Sequence, residues 1–276
     1  MTRLRGAHAV ITGGSSGIGL ATAEALAARG ARVSLLARDQ ARLTAAEATV
    51  RATAPGADVG SASCDVRDAA LVRAALDAVT AARGPCDVLI TSAGSARPGY
   101  FTELDDDVFR EQMELDYFGT LHAVRAVVPS MIERGRGHVV TVASTAALVG
   151  VFGYSAYAPA KYAVRGLTET LRAELAPHGI VVACAYPPDT DTPGLAEENR
   201  TKPPETVEIS AAIKPRDAAS VGAAIVKGIE KDHLVITADV QTAALSRVGA
   251  LIGPYVRWSM DRTIRKAQGE PGTFRS

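Results

Sequence analysis

Short β-branched runs alternate with long Ala-, Leu- and Arg-rich stretches along most of this chain. That alternation limits its fold more than any other feature. The runs are AHAVIT (7–12), ARVSLLA (31–37), ADVGSASC (57–64), CDVLIT (86–91), GHVVTVAS (137–144) and IVVACAY (180–186). Between them, residues 20–29, 39–53, 67–83, 105–134 and 155–177 carry apolar side chains at helical spacing. Strands alternating with helices imply βαβ units and a parallel sheet. The runs are apolar on both sides, as expected when helices cover both faces. Right-handed crossovers then give a doubly wound α/β sheet. We read one catalytic domain over residues 1–240 and a helical extension over 241–276. The rhythm breaks at 187–214, a Pro-rich, charged segment read as a functional lid or a disordered loop. After it come a helix (215–231), a short strand (233–237) and an Arg-rich helical stretch (about 240–267), which Pro254 is expected to kink or split.

Composition closes off other classes. Thirty basic and thirty acidic residues give zero net charge, which argues against nucleic acid as a partner. The three cysteines are scattered, and the five histidines show no ligand spacing, so neither a disulfide framework nor a metal site is expected. Met-Thr-Arg-Leu-Arg-Gly precedes the first run without an apolar signal region, and no window has the roughly 18 apolar residues of a spanning helix. The expected compartment is the cytoplasm, with contact at the inner membrane face left open.

The first run leads directly into Thr12-Gly13-Gly14-Ser15-Ser16-Gly17-Ile18-Gly19 and then a helix. Gly13 allows a sharp turn, Gly17 lets backbone approach a pyrophosphate, and Gly19 lets helix and strand pack closely. The helix N-terminus offers N–H groups to phosphate, and Ser15 and Ser16 add hydroxyls. The bland alternative is a plain turn of small residues. At the end of the second run, NAD sites usually place an acid for the ribose 2′-OH. This chain has Ala37 there, followed by Arg38, with Arg42 one helical turn on. Guanidinium groups favour a 2′-phosphate, so NADP(H) is the expected cofactor. Asp39 is read as a helix cap.

Tyr157 and Lys161 are four residues apart at the start of a helix and so share a face. A free phenol has pKa near 10, and a neighbouring ammonium is expected to lower it. Such a pair can protonate a ketone or deprotonate an alcohol. Ser144, ending the preceding strand run, can hold the substrate oxygen. Tyr154 and Tyr162 lack a Lys four residues on and are read as packing or pocket wall.

These motifs, with Cys64-Asp65-Val66, Ser92-Ala93-Gly94 and Pro187-Pro188-x-Thr190, occur in an order that resembles the short-chain dehydrogenase/reductase family. The resemblance covers residues 7 to about 240. It implies a single-domain Rossmann fold with a seven-stranded sheet and hydride transfer between NAD(P) and a carbonyl or alcohol. It also implies roles. Tyr157 would donate the proton, Lys161 would bind the nicotinamide ribose and tune Tyr157, and Ser144 would orient the carbonyl. Asp65 and Val66 would touch the adenine, Ala93 and Gly94 would line the cofactor floor, and Pro187 with Thr190 would meet the carboxamide. The family commonly forms homodimers and homotetramers. Within it, the lid from Ala185 to Thr206 and the segment Leu148 to Tyr157 resemble the 3-ketodihydrosphingosine reductase branch. That likeness implies NADPH-dependent reduction of a long-chain 3-keto amino alcohol, a sphingolipid precursor. Rival readings are a 3-ketoacyl or a steroid or xenobiotic reductase and, from another class, a catalytically weak nucleotide sensor or scaffold.

Two departures stand out. Thr91-Ser92 replaces the family's usual Asn-Asn or Asn-Cys before Ala93-Gly94, and Asp116 occupies the place of a catalytic Asn in Asp116-Tyr117-Phe118-Gly119. That Asn anchors a water linking Lys to solvent. Asp116 is expected to hold the water through the same backbone carbonyl and to add negative charge beside Lys161.

Overall fold

A computed structural model describes residues 1–211 and 213–268. Ala212 of the lid and the last eight positions of the expected 241–276 extension lie outside the described residues. Seven parallel strands form one sheet in the order β3-β2-β1-β4-β5-β6-β9. They are β1 (His8–Thr12), β2 (Arg32–Ala37), β3 (Val59–Ser63), β4 (Val88–Thr91), β5 (Gly137–Val142), β6 (Ile180–Ala185) and β9 (Val235–Ile236). The order reverses direction between β1 and β4, which is where doubly wound sheets bind ligands.

Both faces of the sheet are buried, and the side chains alternate between them. Ile11, Leu35, Ile90 and Val140 join one apolar cluster, while their neighbours Val10, Leu36, Leu89 and Val139 join the other. The first cluster is completed by α1 (Gly17–Ala27), α2 (Gln40–Thr53) and α9 (Ala218–Glu230), through Leu26, Leu43, Val50, Ile225 and Ile229. The second is completed by α3 (Ala69–Arg83) and α5 (Gly119–Glu133), through Val72, Leu76, Val79, Val124 and Met131. Each such Leu or Ile contributes about 1.5–3 kcal/mol by leaving water.

Two expectations need correction. The 187–214 segment is not irregular throughout. It carries α7 (Pro193–Glu198), α8 (Pro204–Ala211) and β7 (Thr190–Asp191), which pairs with β8 (Arg216–Asp217). Pro193 and Pro204 each open a helix, where a missing N–H costs nothing. Nor does Pro254 split the final helix, because α10 runs from Val240 to Ala267 with Pro254 inside. Its neighbours Leu251 and Tyr255 face water, so a carbonyl freed there can be solvated.

The long 105–134 helix contains a surprise. Between α4 (Asp106–Gln112) and α5 lies a π-helical turn, Met113–Phe118. A further helix, α6 (Tyr157–Leu175), packs beside this turn and against β6.

Candidate active site

The strands share one direction, so their carboxyl ends meet at one edge, where a cleft of about 730 Å³ opens. Sixteen of the sequence candidates and their neighbours wall it in two halves, one suited to a nucleotide and one to a carbonyl.

The nucleotide half follows β1. Gly13 has φ +69°, and a Cβ there would lie 2.6 Å from the Ala93 backbone nitrogen. Only glycine allows both the turn and the approach. Ser15, Ser16, Gly17 and Ile18 line the cleft. Gly19 does not, since it packs against the Gly13 carbonyl with no room for a side chain. Ser16 caps α1 without a side-chain hydrogen bond, leaving the helix's positive end without a side-chain acceptor. Arg38 and Arg42 line the cleft at the end of β2. Asp39 accepts a hydrogen bond from the Arg42 backbone N–H at 3.0 Å and caps α2, as read. Asp65, Val66, Ala93, Gly94, Pro187 and Thr190 complete this half. Hydrogen bonding from Arg67 holds the Asp65 carboxyl below its ordinary pKa.

The carbonyl half gathers around α6. Ser144 lies two residues beyond β5, and its Oγ accepts the Ala146 N–H at 3.1 Å. That bond leaves the hydroxyl proton available to a neighbour. Tyr157 opens α6, and Lys161 follows one turn later with Nζ 5.6 Å from the Tyr157 ring centre. Lys161 Nζ also donates to the Val142 carbonyl at 3.1 Å and lies 3.0 Å from Asp116 Oδ1. Asp116 is fully buried behind the cleft wall, on the π turn. Neither of its carboxylate oxygens makes a well-aligned hydrogen bond, so the contact is an ion pair. The Asp116 backbone carbonyl, expected to hold a water, accepts the Thr120 hydroxyl at 2.9 Å. Gly94 closes the group: a Cβ there would overlap Asp116 Oδ1 and approach Lys161 Nζ to 3.1 Å.

The electrostatics differ from expectation in one respect. Lys161 does favour the phenolate of Tyr157, but burial outweighs it. The Tyr157 pKa is pushed up to about 12, with Asp116 adding to the rise and Ser144 opposing it. Burial raises Asp116 above the usual carboxylate range, against the pull of Lys161. Burial would lower Lys161, yet Asp116 and Tyr157 overcome it and hold the ammonium above its ordinary value. Without other charges nearby, the site therefore holds a protonated phenol.

Sequence reading missed part of the wall. Tyr154, read as packing or pocket wall, does line the cleft, and its hydroxyl donates to Glu198 Oε1. Glu198 also lines the cleft, and Lys202 stands behind it. The signal was a Glu and a Lys four residues apart in the lid, which ordinarily marks an exposed helix pair. Alongside the cleft runs an apolar groove of about 770 Å³ formed by residues such as Tyr100, Phe101, Phe152 and Tyr162. Val151 and Tyr154 belong to both.

A family model described as short chain dehydrogenase matches residues 7–203. A 3-ketodihydrosphingosine reductase from Dictyostelium discoideum is 42% identical over 271 residues, covering 92% of this chain and 80% of that protein. A 3-dehydrosphinganine reductase from Danio rerio is 44% identical over 211 residues, covering 75% of this chain and 64% of that protein. Among solved structures, levodione reductase superposes with TM-score 0.80 at 28% identity, covering 87% of this chain and 99% of its own. A short-chain dehydrogenase from Sphingobium yanoikuyae in complex with NADPH gives TM-score 0.76 at 28% identity, covering 92% and 96%.

Proposed function

Because the chain belongs to the short-chain dehydrogenase family, we propose that it reduces the 3-keto group of a long-chain amino alcohol of the 3-ketodihydrosphingosine type. It is an oxidoreductase of the carbonyl–alcohol couple, and NADP(H) is its cofactor. The cleft suits that cofactor on its own terms. The Gly13 turn has no room for a side chain, the α1 terminus lacks a side-chain acceptor, and Arg38 and Arg42 stand where a 2′-phosphate would lie. Arg38 and Arg42 would hold the phosphate, Asp65 and Val66 the adenine, Lys161 the nicotinamide ribose, and Pro187 with Thr190 the carboxamide. When bound, the nicotinamide supplies the hydride.

The chain's own groups do the rest. The Ser144 hydroxyl donates to the substrate oxygen and fixes it beside Tyr157. As negative charge develops on that oxygen, Tyr157 Oη delivers its proton. The nearby Lys161 ammonium steadies the phenolate left behind. A raised Tyr157 pKa keeps the acid loaded at neutral pH, which suits reduction over oxidation.

The observation that carries the substrate reading is the apolar groove joined to the cleft through Val151 and Tyr154. A hydrocarbon tail lying there would place a keto group near its polar end beside Tyr157. NADPH oxidation with 3-ketodihydrosphingosine, run beside a 3-ketoacyl thioester and a steroid ketone, tests this. Faster turnover of either rival substrate overturns the reading, and no turnover of any ketone favours a nucleotide sensor.

The final helix supports contact with an anionic lipid surface. Among the described residues, no helix is long and apolar enough to cross a membrane. Val248, Leu251, Tyr255 and Trp258 nevertheless form an exposed stripe along α10, with Leu251 82% and Tyr255 68% accessible. Arg247, Arg257 and Arg262 lie on the same helix, and Arg262 sits 5.8 Å over the Trp258 ring. An apolar stripe with basic neighbours suits a headgroup layer, from which a long-chain substrate would arrive. α10 also reaches the lid, where Gln268 Nε2 donates to Glu205 Oε1 at 2.9 Å.

A further inference from the structure

Glu198 ends α7 in the lid, with its side chain 15% accessible and facing the cleft. Its Oε1 accepts the Tyr154 hydroxyl and lies 3.0 Å from Lys202 Nζ. Lys202 is 2% accessible and lies 3.8 Å from Asp189 Oδ2. Asp189 lines the cleft as well. Two carboxylates thus share one buried ammonium, which leaves the group with one negative charge in excess. Tyr154 and Lys202 both engage Glu198 Oε1, and Oε2 accepts no hydrogen bond among the described residues. The group adjoins the chemistry, since the Tyr154 and Tyr157 ring centroids are 5.8 Å apart.

An excess charge in a poorly solvated wall is costly unless something balances it. A latch holding the lid to the body would need only one carboxylate for Lys202. Both Asp189 and Glu198 line the cleft that also holds Tyr157. In a 3-keto amino alcohol the amine is attached to the carbon next to the ketone, so it enters the cleft with the reacting carbon. We propose that Glu198, with Asp189 beside it, is the counter-ion for the substrate's ammonium group. Tyr154 and Lys202 are positioning residues that hold Glu198 by one oxygen and leave the other for the substrate. The inference rests on the ketoreductase reading and narrows it. The site prefers cationic 2-amino ketones and discriminates against neutral 3-keto chains such as acyl thioesters, which leave the excess charge unbalanced.

The test compares kcat/KM for 3-ketodihydrosphingosine and for the same ketone lacking the amine, with wild type, Glu198→Gln and Asp189→Asn. Bound NADPH fluorescence reports folding in each. Loss of a charge-assisted bond is worth about ten- to a hundredfold. Glu198→Gln should therefore lower kcat/KM for the amino ketone by that factor, chiefly through KM. Its loss on the amino ketone should exceed that on the deaminated ketone by at least about tenfold. If Glu198→Gln fails to bind NADPH, Asp189→Asn decides by the same comparison, with a smaller bias of the same sign. Equal losses on both substrates would leave the group as a lid latch and overturn the inference. So would a wild type that handles both ketones equally well, although the ketoreductase reading would then stand. A wild type that reduces neither ketone overturns that reading and the inference with it.

Discussion

The Asp116 carboxylate and the Lys161 ammonium lie 3.0 Å apart, and both are shut away from solvent. The pair ties the π turn to the catalytic helix α6. It also fixes Lys161 from three sides, with the Val142 carbonyl and the Tyr157 ring as the other two contacts. A buried ion pair adds little net stability, but it orients its members strongly. Here it orients the cation that tunes the proton donor.

The simplest consequence concerns Tyr157 itself. Tyr157→Phe removes the proton donor without disturbing the nucleotide half of the cleft. Turnover should fall at least about a hundredfold, while the NADPH dissociation constant measured by fluorescence stays near the wild-type value. Near-normal turnover would remove Tyr157 from the mechanism.

Asp116→Asn should move the pH profile in a defined direction. Ketone reduction needs Tyr157 as a phenol, and the Asp116 charge contributes to its raised pKa. A neutral amide removes that contribution, so the Tyr157 pKa falls. The alkaline loss of ketone reduction then begins at lower pH, and so does the rise of alcohol oxidation, which needs the phenolate. Superimposable profiles for the two proteins would show that the carboxylate does not reach the reacting proton.

Arg38→Asp should turn the preference from NADPH towards NADH. The change removes a guanidinium that suits a 2′-phosphate and supplies an acceptor for a ribose hydroxyl. The ratio of kcat/KM for the two cofactors should invert. A mutant that keeps its NADPH preference would place the 2′-phosphate elsewhere.

For α10, the double variant Leu251→Glu, Tyr255→Glu puts two negative charges on the exposed stripe. Wild-type protein should co-sediment with phosphatidylserine-containing vesicles at low salt and detach as salt rises. The variant should stay in the supernatant while keeping NADPH turnover with a short-chain ketone. A wild type that ignores vesicles but becomes monomeric on this double substitution would identify the stripe as a contact between copies of the chain.

The sheet was legible because burial on both faces demands uninterrupted apolar runs. AHAVIT and IVVACAY mark β1 and β6 to within a residue. The cofactor turn was legible for a steric reason, since glycine is the only side chain that Gly13 tolerates. The lid was not. Its short helices begin at prolines and carry little apolar periodicity, so their order comes from packing that no local pattern records. The net direction of the Tyr157 pKa was also hidden. A Lys four residues away is visible in sequence, but the depth of burial that overrides it is a property of the assembled fold.

Length matters in one place as much as residue type. Each α-helical residue turns the chain by about 100°. The wide turn at Met113–Phe118 takes up one extra residue in the rod from Asp106 to Glu133 and keeps the helices on either side in step. Deleting any single residue there would let the rod close into continuous α-helix. The two flanking halves would stay in step, because five α-helical residues turn through about the same angle as the six of the π turn. Val124 and Met131 would then keep their places in the core, and the loss would fall on the turn itself, which carries Asp116 to Lys161. The site thus depends on a count of residues that no single substitution can reveal.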